Sequence, residues 1–360
     1  MKGVCILQKY LMPYRVPLFN AVAGHPEIDL TVMYYGTRGE RRKSTLYPEK
    51  RFRELQSRVL CVKGTYEHNY DFPFFLYRDL KRLQPEVVIC APDVGGLAAL
   101  LYAKRHGGRY IIWSEGTPLT EARRSPLKQP LRKLIYSHAW RFLVPGSLAG
   151  EYIRTFEPRA EVFFANNAIQ QEEDFLISES EIETKFREEK LQITFSGSLI
   201  ERKGVHLLLD AFQRAFNKNF KDKTFLVLLG TGPDNLQIYK SENIVRAGFC
   251  EGKKYIEYLK SSHVFILPSL SDPNPLTVIE ALFTGNVLVV SDAVGSHSEA
   301  VSGNGFVIPT GSAAAIYKIL EHIAALPREV LVTMAKRSLA LARNFTTERA
   351  AAGFLAALLS

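Results

Sequence analysis

The sequence predicts an α/β protein with two Rossmann-like domains, each built on a parallel sheet. The chain has 360 residues, which is more than one ordinary α/β domain needs. Short apolar runs alternate with helix-length amphipathic segments, and this series occurs twice along the chain. The runs are continuously apolar, which is typical of strands in parallel sheets that are covered on both faces.

The alternation predicts six strands in each half. In the first half they are Gly3–Leu7, Leu30–Tyr34, Val87–Ala91, Tyr110–Trp113, Arg141–Val144 and Glu161–Phe164, with helices at Val94–Arg105 and Leu127–Ser137. In the second half they are Gln192–Ser196, Phe225–Leu229, Ile244–Ala247, His263–Leu267, Val287–Val290 and Gly305–Ile308, with helices at Gly204–Phe216, Lys253–Leu259 and Leu276–Thr284.

A polar, acidic stretch between Asn166 and Lys190 predicts the domain boundary. We therefore expect an N-terminal domain at 1–168 and a C-terminal domain at 169–345. A further helix pattern fills 346–360, and the N-terminal domain is among the surfaces on which it can pack. Because ligands bind at the carboxyl ends of strands in open parallel sheets, we expect the site in the cleft between the two domains.

Composition excludes several classes of protein. Hydrophobic residues make up 46% and charged residues 23%, so a proper core is expected and disorder is not. The four cysteines, Cys5, Cys61, Cys90 and Cys250, form no C-x-x-C pair, which argues against a disulfide framework or zinc site and for a reducing cytosol. Neither a signal peptide nor an apolar run long enough to span a membrane is found.

The net charge of +9 is unevenly distributed. Residues 1–165 carry +11 and residues 166–360 carry −2. Basic clusters lie at 41–43, 51–53, 123–124 and 132–133. A basic first half indicates anionic partners such as phosphorylated substrates or lipid head groups. The alternative is a well-solvated surface without such a partner. Nucleic acid is not expected as a partner, because no recognisable nucleic-acid-binding motif accompanies the basic residues.

A small-residue turn and two cations connect a strand to a helix in the second half. The strand ends before Gly197 and Ser198, and Arg202 and Lys203 precede a helix that begins near Gly204. Backbone amides near a helix N-terminus attract anions, and the two cations add full positive charges. The pattern favours a phosphate site, although an ordinary loop with a solvated Arg-Lys pair has the same sequence.

Two glycines, Gly230 and Gly232, follow the next predicted strand. Glycine allows a tight turn and a close approach of the backbone to a ligand. A third glycine at the spacing of a dinucleotide fingerprint does not follow, which argues against an NAD-dependent enzyme.

The segment 265–282 predicts a strand, a proline-rich loop and a helix that begins near Pro275. The first amides of that helix, at Leu276–Val278, would be free to bind an anion. Glu280 lies about one turn further on, where its carboxylate can accept hydrogen bonds from ribose hydroxyls. The alternatives are a helix-surface glutamate for Glu280 and a turn-forming residue for Asp272.

In order, these segments have the patterns G-S-L-x-x-R-K-G, G-x-G and L-P-S-x-x-D-P-x-P-L-x-x-x-E-A-L, followed by Gly295 and Glu299. This order resembles the donor domain of retaining glycosyltransferases of the GT-B fold, family 4, also called group 1. The resemblance covers about residues 166–306. The first half is similar more loosely, through residues 13–19. The resemblance implies a GT-B fold, with two Rossmann-like domains facing across a cleft.

The resemblance also implies roles for individual residues. Arg202 and Lys203 would neutralise the diphosphate of the donor, and Glu280 would bind its ribose. Asp272 stands where the family usually has the first glutamate of its E-x7-E motif, near the transferred sugar, and is one methylene shorter. Glu115 follows Ser114, where many members have a histidine, so the histidine is missing while the glutamate remains.

The expected site residues follow from these roles. The catalytic candidates are Glu115, Asp272, Arg202 and Lys203. The donor-binding candidates are Gly197, Ser198, Arg202, Lys203, Gly230, Gly232, Phe249, Pro275, Leu276, Thr277 and Glu280. The acceptor-binding candidates are Tyr14, Arg15 and Glu115.

The implied reaction transfers a sugar from a UDP- or GDP-sugar to a hydroxyl of a saccharide, glycolipid or lipid-linked acceptor, in polysaccharide or glycolipid biosynthesis. No D-x-D motif or His/Asp group at ligand spacing is present, so neither metal nor cofactor is expected. We expect a cytoplasmic protein, with peripheral contact to an anionic membrane as the natural use of its basic half.

Two alternatives share this fold. A non-hydrolysing sugar-nucleotide epimerase would bind a similar donor without an acceptor surface, and a non-catalytic partner protein would keep the fold without the chemistry. The basic first half is also aromatic, which favours an acceptor site; its aromatic residues include Tyr10, Tyr14, Phe19, Tyr34 and Tyr35.

Overall fold

The structure is a computed structural model that describes residues 1–9, 12–35, 58–61, 73–121, 129–215, 224–232 and 242–360. It divides into two compact units, Met1–Gln170 with Thr346–Ser360, and Gln171–Phe345. Tyr10 and the basic clusters at 41–43, 51–53 and 123–124 lie outside the described residues.

The first unit contains a parallel sheet with the described strand order β3-β2-β1-β4-β5-β6-β7. The strands are β1 Lys2–Gln8, β2 Ile28–Tyr34, β3 Arg58–Cys61, β4 Val87–Cys90, β5 Arg109–Trp113, β6 Arg141–Val144 and β7 Val162–Phe164. The helices are α1 Val16–Ala23, α2 Pro73–Leu83, α3 Val94–His106, α4 Pro118–Glu121, α5 Gln129–Tyr136, α6 Ser147–Arg154 and, from the end of the chain, α15 Thr347–Leu359. The sequence analysis did not predict β3, whose short apolar run follows a polar and basic stretch.

Side chains of each strand alternate between two helical layers. Cys5 and Leu7 of β1 pack in one core with residues of α2, α3 and α5. Val4 and Ile6 pack in the opposite core with residues of α1 and α15. The final helix therefore belongs to the first unit, where Phe354 packs edge-on against the Trp113 ring.

The second unit contains a parallel sheet with the described strand order β10-β9-β8-β11-β12-β13. The strands are β8 Leu191–Ser196, β9 Thr224–Leu229, β10 Ile244–Gly248, β11 Val264–Leu267, β12 Val287–Ser291 and β13 Gly305–Ile308. The helices are α7 Glu172–Phe175, α8 Glu179–Lys185, α9 Val205–Ala215, α10 Gly252–Ser261, α11 Leu276–Phe283, α12 His297–Ala300, α13 Ala313–Ala325 and α14 Arg328–Ala342.

The acidic stretch that marks the predicted boundary is itself folded in the second unit. It forms α7 and α8, and α8 begins with a capping box between Ser178 and Glu181. Ile182 of α8 is fully buried. None of the described helices combines the length and the apolar character needed to cross a bilayer.

Candidate active site

Glycines bring three strand ends of the second unit into close contact. The Gly197 amide donates to the Leu229 carbonyl at 2.9 Å, and the Gly230 amide donates to the Gly248 carbonyl at 2.7 Å. A Cβ on Gly230 would overlap the Gly197 carbonyl oxygen, and Gly230 has a φ of 136°. Only glycine fits there. The predicted small-residue turn therefore lies at the carboxyl ends of β8, β9 and β10.

The turn after β8 is held against the loop after β11. Gly204 has a φ of 70°, and a Cβ there would overlap the Pro268 carbonyl oxygen. The Leu270 amide donates to the Arg202 carbonyl at 2.8 Å. Arg202 Nη1 in turn donates to the Ser271 carbonyl at 2.6 Å. These contacts place the two predicted cations next to the proline-rich loop.

Lys203 Nζ forms an ion pair and hydrogen bond with Asp272 Oδ2. The two side chains are only 12% and 10% exposed. Removing one partner of such a pair leaves a buried charge without compensation, which typically costs about 3–5 kcal/mol. The structure therefore joins two candidates, one expected at the diphosphate and one at the transferred sugar, into a single group.

Backbone pairing fixes the position of Asp272. Its amide donates to the Ala293 carbonyl at 3.1 Å, and its carbonyl accepts from the Gly295 amide at 2.8 Å. Together these bonds form an isolated parallel bridge between Asp272 and Val294. Asp272 is thus anchored by the backbone and does not merely form a turn.

The N-terminus of α11 differs in part from the prediction. Pro275 is the N-cap residue, so the helix begins at Leu276. The Val278 amide donates to the Pro275 carbonyl at 3.2 Å, which corrects the expectation that the amides of Leu276–Val278 are all free. The helix thus begins at the predicted Leu276, and the proline before it supplies the carbonyl that closes its first turn. Leu276 and Thr277 remain at the positive end of the helix.

Glu280 of α11 faces a hydroxyl that the sequence did not reveal. The Tyr255 hydroxyl on α10 donates to Glu280 Oε2, and Ser196 Oγ lies 3.0 Å from the same hydroxyl. Burial raises the pKa of Glu280 to about 7, and the hydrogen bond from Tyr255 opposes that rise. Burial and the neighbouring Glu280 charge raise the pKa of Tyr255 well above its usual value. Glu280 is therefore not the exposed surface glutamate of the alternative.

The remaining donor-binding candidates lie around the same strand ends. The Leu199 amide donates to the Thr231 carbonyl at 2.7 Å, and a Cβ on Gly232 would overlap the Leu199 carbonyl oxygen. Ser198 is exposed on the turn after β8. Phe249 follows β10 directly, and 46% of its surface is exposed.

The acceptor-binding candidates form a second cluster in the first unit. Arg15 Nη2 lies 3.2 Å from Glu115 Oε1, and Arg15 Nη1 donates to Gln8 Oε1. Asn167 Nδ2 donates to the same Glu115 oxygen at 3.1 Å. The Arg15 guanidinium lies 4.2 Å from the centre of the Trp113 ring. Gln8, Glu115 and Asn167 come from or just after the carboxyl ends of β1, β5 and β7.

Arg15 contacts aromatic rings as well as a carboxylate. Its guanidinium also lies 5.4 Å from the centre of the Tyr14 ring. Its Nε is buried, and among the described residues it has no hydrogen-bond partner. Ser114, which stands where the resembling family has a histidine, is buried, and its amide donates to the Leu143 carbonyl at 3.0 Å.

The basic cluster at 132–133 consists of one buried cation and one exposed cation. Arg132 Nη1 lies 2.5 Å from Glu121 Oε2, and it also donates to the Tyr152 hydroxyl at 3.0 Å. Both charged side chains are less than 10% exposed. Arg132 therefore holds α5 to α4 and α6, and only Lys133 of this cluster is exposed.

The structure thus brings the predicted residues together in two groups. Arg202, Lys203 and Asp272 lie together beside Gly197 in the second unit, and Glu280 is joined through Tyr255 to Ser196, which precedes Gly197. Tyr14, Arg15 and Glu115 lie together in the first unit. Across the described ranges, no three His, Cys, Asp or Glu side chains are grouped so that they could hold a metal ion.

Known structures share this fold over nearly the whole chain. HepE of Anabaena, solved with UDP and glucose, is 14% identical, with 99% of each chain covered and a TM-score of 0.73. The sucrose-phosphate synthase of Thermosynechococcus elongatus is 13% identical, with 100% of this chain and 99% of that chain covered and a TM-score of 0.74. The lipopolysaccharide outer core galactosyltransferase WaaB is 15% identical, with 99% of each chain covered and a TM-score of 0.70. The predicted GT-B fold, with its two parallel sheets, is confirmed.

Residues 177–338 match the family model of the glycosyl transferases group 1. The matched segment includes the turn at Gly197, the cations Arg202 and Lys203, and both carboxylates, Asp272 and Glu280. The second unit therefore contains a glycosyl transferases group 1 domain, which makes the protein a glycosyltransferase, an enzyme that transfers glycosyl groups. A search of curated proteins found no match to the sequence.

Proposed function

We propose that this enzyme transfers a sugar from a UDP- or GDP-sugar to a hydroxyl acceptor, with retention of anomeric configuration, as a member of glycosyltransferase family 4. The observation that carries the proposal is the buried pair of Lys203 and Asp272, with Arg202 beside it and Glu280 on the neighbouring helix. A nucleotide sugar would present its ribose to Glu280, its diphosphate to Lys203 and Arg202, and its sugar to Asp272. The UDP and glucose bound to HepE support a donor of this class.

The proposed role of each residue follows from the charge that develops on the donor during the reaction. As the sugar–phosphate bond breaks, negative charge grows on the diphosphate, and the sugar becomes cation-like. Lys203, Arg202 and the first amides of α11 stabilise the departing diphosphate from a fixed position, which is often the largest catalytic contribution. Asp272 supplies a carboxylate next to the same lysine, where it can stabilise the cation-like sugar. We propose that the reaction requires no metal, since these groups supply the positive charge.

We propose that Tyr14, Arg15 and Glu115 bind the acceptor. Arg15 and Glu115 form an ion pair, and two aromatic rings lie close to the guanidinium. Carboxylate and guanidinium groups together accept from and donate to the hydroxyls of a saccharide. A saccharide, glycolipid or lipid-linked acceptor matches this combination, as in polysaccharide or glycolipid biosynthesis.

A thermal-shift panel of UDP-, GDP- and ADP-sugars tests the donor. We expect a UDP- or GDP-sugar to raise the melting temperature, since ligands that bind the folded state stabilise it. The shift and the transfer activity should persist in a chelator of divalent cations. The Arg15→Met variant should keep the donor-induced shift and lose transfer. A panel without any shift would contradict the donor, and a strict need for metal would contradict the metal-free mechanism.

We further propose that the enzyme works at the cytoplasmic face of an anionic membrane. The first half carries the basic excess, and its helices expose Leu119, Leu131 and Leu134 by 50%, 43% and 42%. Exposed leucines beside cations such as Lys133 suit a lipid surface. The buried free cysteines Cys5 and Cys90 agree with a reducing compartment.

Vesicle co-sedimentation tests this contact. The protein should sediment with phosphatidylglycerol vesicles at low salt, should be released as salt rises, and should not sediment with phosphatidylcholine alone. The Leu131→Ser, Leu134→Ser double variant should sediment less. Val330→Ser, at an exposed site in the second unit, is the matched control and should sediment normally. Failure to bind anionic vesicles at low salt would contradict the proposal.

A further inference from the structure

Three hydroxyl and carboxyl groups form a chain at the ribose end of the site. The Tyr255 hydroxyl donates to Glu280 Oε2, and Ser196 Oγ lies 3.0 Å from that hydroxyl. Because the tyrosine proton points to the carboxylate, Ser196 must donate to the tyrosine oxygen. Ser196 ends β8, Tyr255 lies on α10 and Glu280 lies on α11, so the chain joins three elements of the second unit.

The Tyr255 ring is itself held in place. Phe175 of α7, which is buried, packs edge-on against it with ring centres 6.2 Å apart. The hydroxyl therefore presents its proton to one oxygen of Glu280 and leaves the other oxygen for a ligand.

We infer that Tyr255 is a positioning residue that keeps Glu280 ionised and aimed for nucleotide binding, and that it sets the pH range in which the donor binds. The inference rests on the proposed function, in which Glu280 accepts hydrogen bonds from the ribose. An ionised carboxylate accepts from two hydroxyls, whereas a protonated one uses one oxygen as a donor.

The direction of the pH effect follows from the surroundings of Glu280. Its pKa is raised to about 7 by burial, so protonation below that pH removes the accepting form. The hydrogen bond from Tyr255 favours the ionised form and lowers the pKa. Without the hydroxyl, the pKa of Glu280 rises further, and the loss of donor binding moves to higher pH.

Other ionisable groups on the surrounding helices must be distinguished from Glu280. The carboxylates at 172–174 lie on α7, and His297 and Glu299 lie on α12. On α14, Arg328 and Arg337 donate to backbone carbonyls, and Lys336 pairs with Glu179 and Glu183. Lys185 is the main competitor. Burial lowers its pKa to about 7, and its Nζ donates to the Thr284 carbonyl at the end of α11 at 2.9 Å.

Calorimetric titration of the full chain with UDP-glucose and with GDP-mannose, over a range of pH, tests the inference. These probes lack a terminal phosphate, so the phosphate ionisation with a pKa of about 6 does not interfere. For the probe that binds, wild-type affinity should fall as pH decreases through about 7. Tyr255→Phe should bind about tenfold more weakly at about pH 6 and approach wild type at about pH 9, because a hydrogen bond to a charge is lost.

Two further variants complete the test. Tyr258→Phe removes a hydroxyl from the same helix and should follow the wild-type curve. Glu280→Gln should remove the pH dependence near 7, whereas a dependence that persists in it would assign the titration to Lys185. A Tyr255→Phe curve that matches wild type, or that is weaker by the same factor at every pH, would overturn the inference. If wild type binds neither probe, the proposed donor class fails instead.

Discussion

Replacing Lys203 by alanine is expected to reduce sugar transfer by about 100- to 1000-fold, the loss typical of removing one preorganised group that stabilises developing negative charge. Lys203 is a largely buried cation of the second unit, and it lies beside the loop at the proposed sugar-diphosphate end. Transfer measured with the best donor from the thermal-shift panel checks this. The donor-induced melting shift should also decrease, because the diphosphate loses its charged partner.

Loss of stability must be separated from loss of chemistry in this variant. Lys203→Ala leaves the Asp272 carboxylate buried without its partner, which by itself costs about 3–5 kcal/mol. In the Lys203→Ala, Asp272→Asn double variant the buried charge is gone, so stability should recover in part while transfer stays lost. Lys190→Ala, at an exposed site before β8, is the matched control. Normal transfer in Lys203→Ala would exclude the proposed role.

Replacing Asp272 by asparagine is expected to reduce transfer about 100-fold with less effect on donor binding. The substitution nearly preserves the shape of the side chain and its backbone bridge to Val294, but it removes the charge that opposes Lys203 and faces the proposed sugar. The ratio of transfer rate to donor-induced melting shift should therefore fall further than in Lys203→Ala.

The matched comparison for Asp272 is Asp272→Glu. It keeps the charge and restores the residue that the resembling family usually has, so it should retain transfer within about tenfold of wild type. Asp272→Asn with wild-type turnover would show that this carboxylate does not take part in the reaction. Equal losses in both variants would show that side-chain length, and not charge, is what the site requires.

The sequence predicted the strands of both sheets well because buried parallel strands are continuous apolar runs. Arg141–Val144 and Gly305–Ile308 have the predicted bounds, and most of the others differ by one or two residues at an end. The edge strand Arg58–Cys61 was missed, since its short apolar run follows a polar and basic stretch. Gly204 and Gly230 were also informative, because each lies where a side chain would overlap a backbone carbonyl.

Side-chain partners that are far apart in sequence could not be predicted. Glu280 was recognised, but Tyr255 precedes it by 25 residues, and only the fold of the second unit brings its hydroxyl to the carboxylate. Asn167 was missed for the same reason, since its partner Glu115 precedes it by 52 residues. Gln8 lies only seven residues before Arg15, but it appears in the sequence as the polar end of an apolar strand. Arg132 appeared to be a surface cation because its partner Glu121 belongs to another helix.

We propose that the nucleotide sugar lies along the second unit, with its diphosphate at Lys203 and its ribose at Glu280. A crystal structure with the nucleoside diphosphate that most stabilises the protein tests this most directly. We predict a phosphate oxygen within hydrogen-bond distance of Lys203 Nζ, and the ribose hydroxyls on the Glu280 carboxylate with the Tyr255 hydroxyl still donating to it. A nucleotide bound with its ribose away from Glu280, or with its phosphates out of reach of Lys203, would contradict the claim.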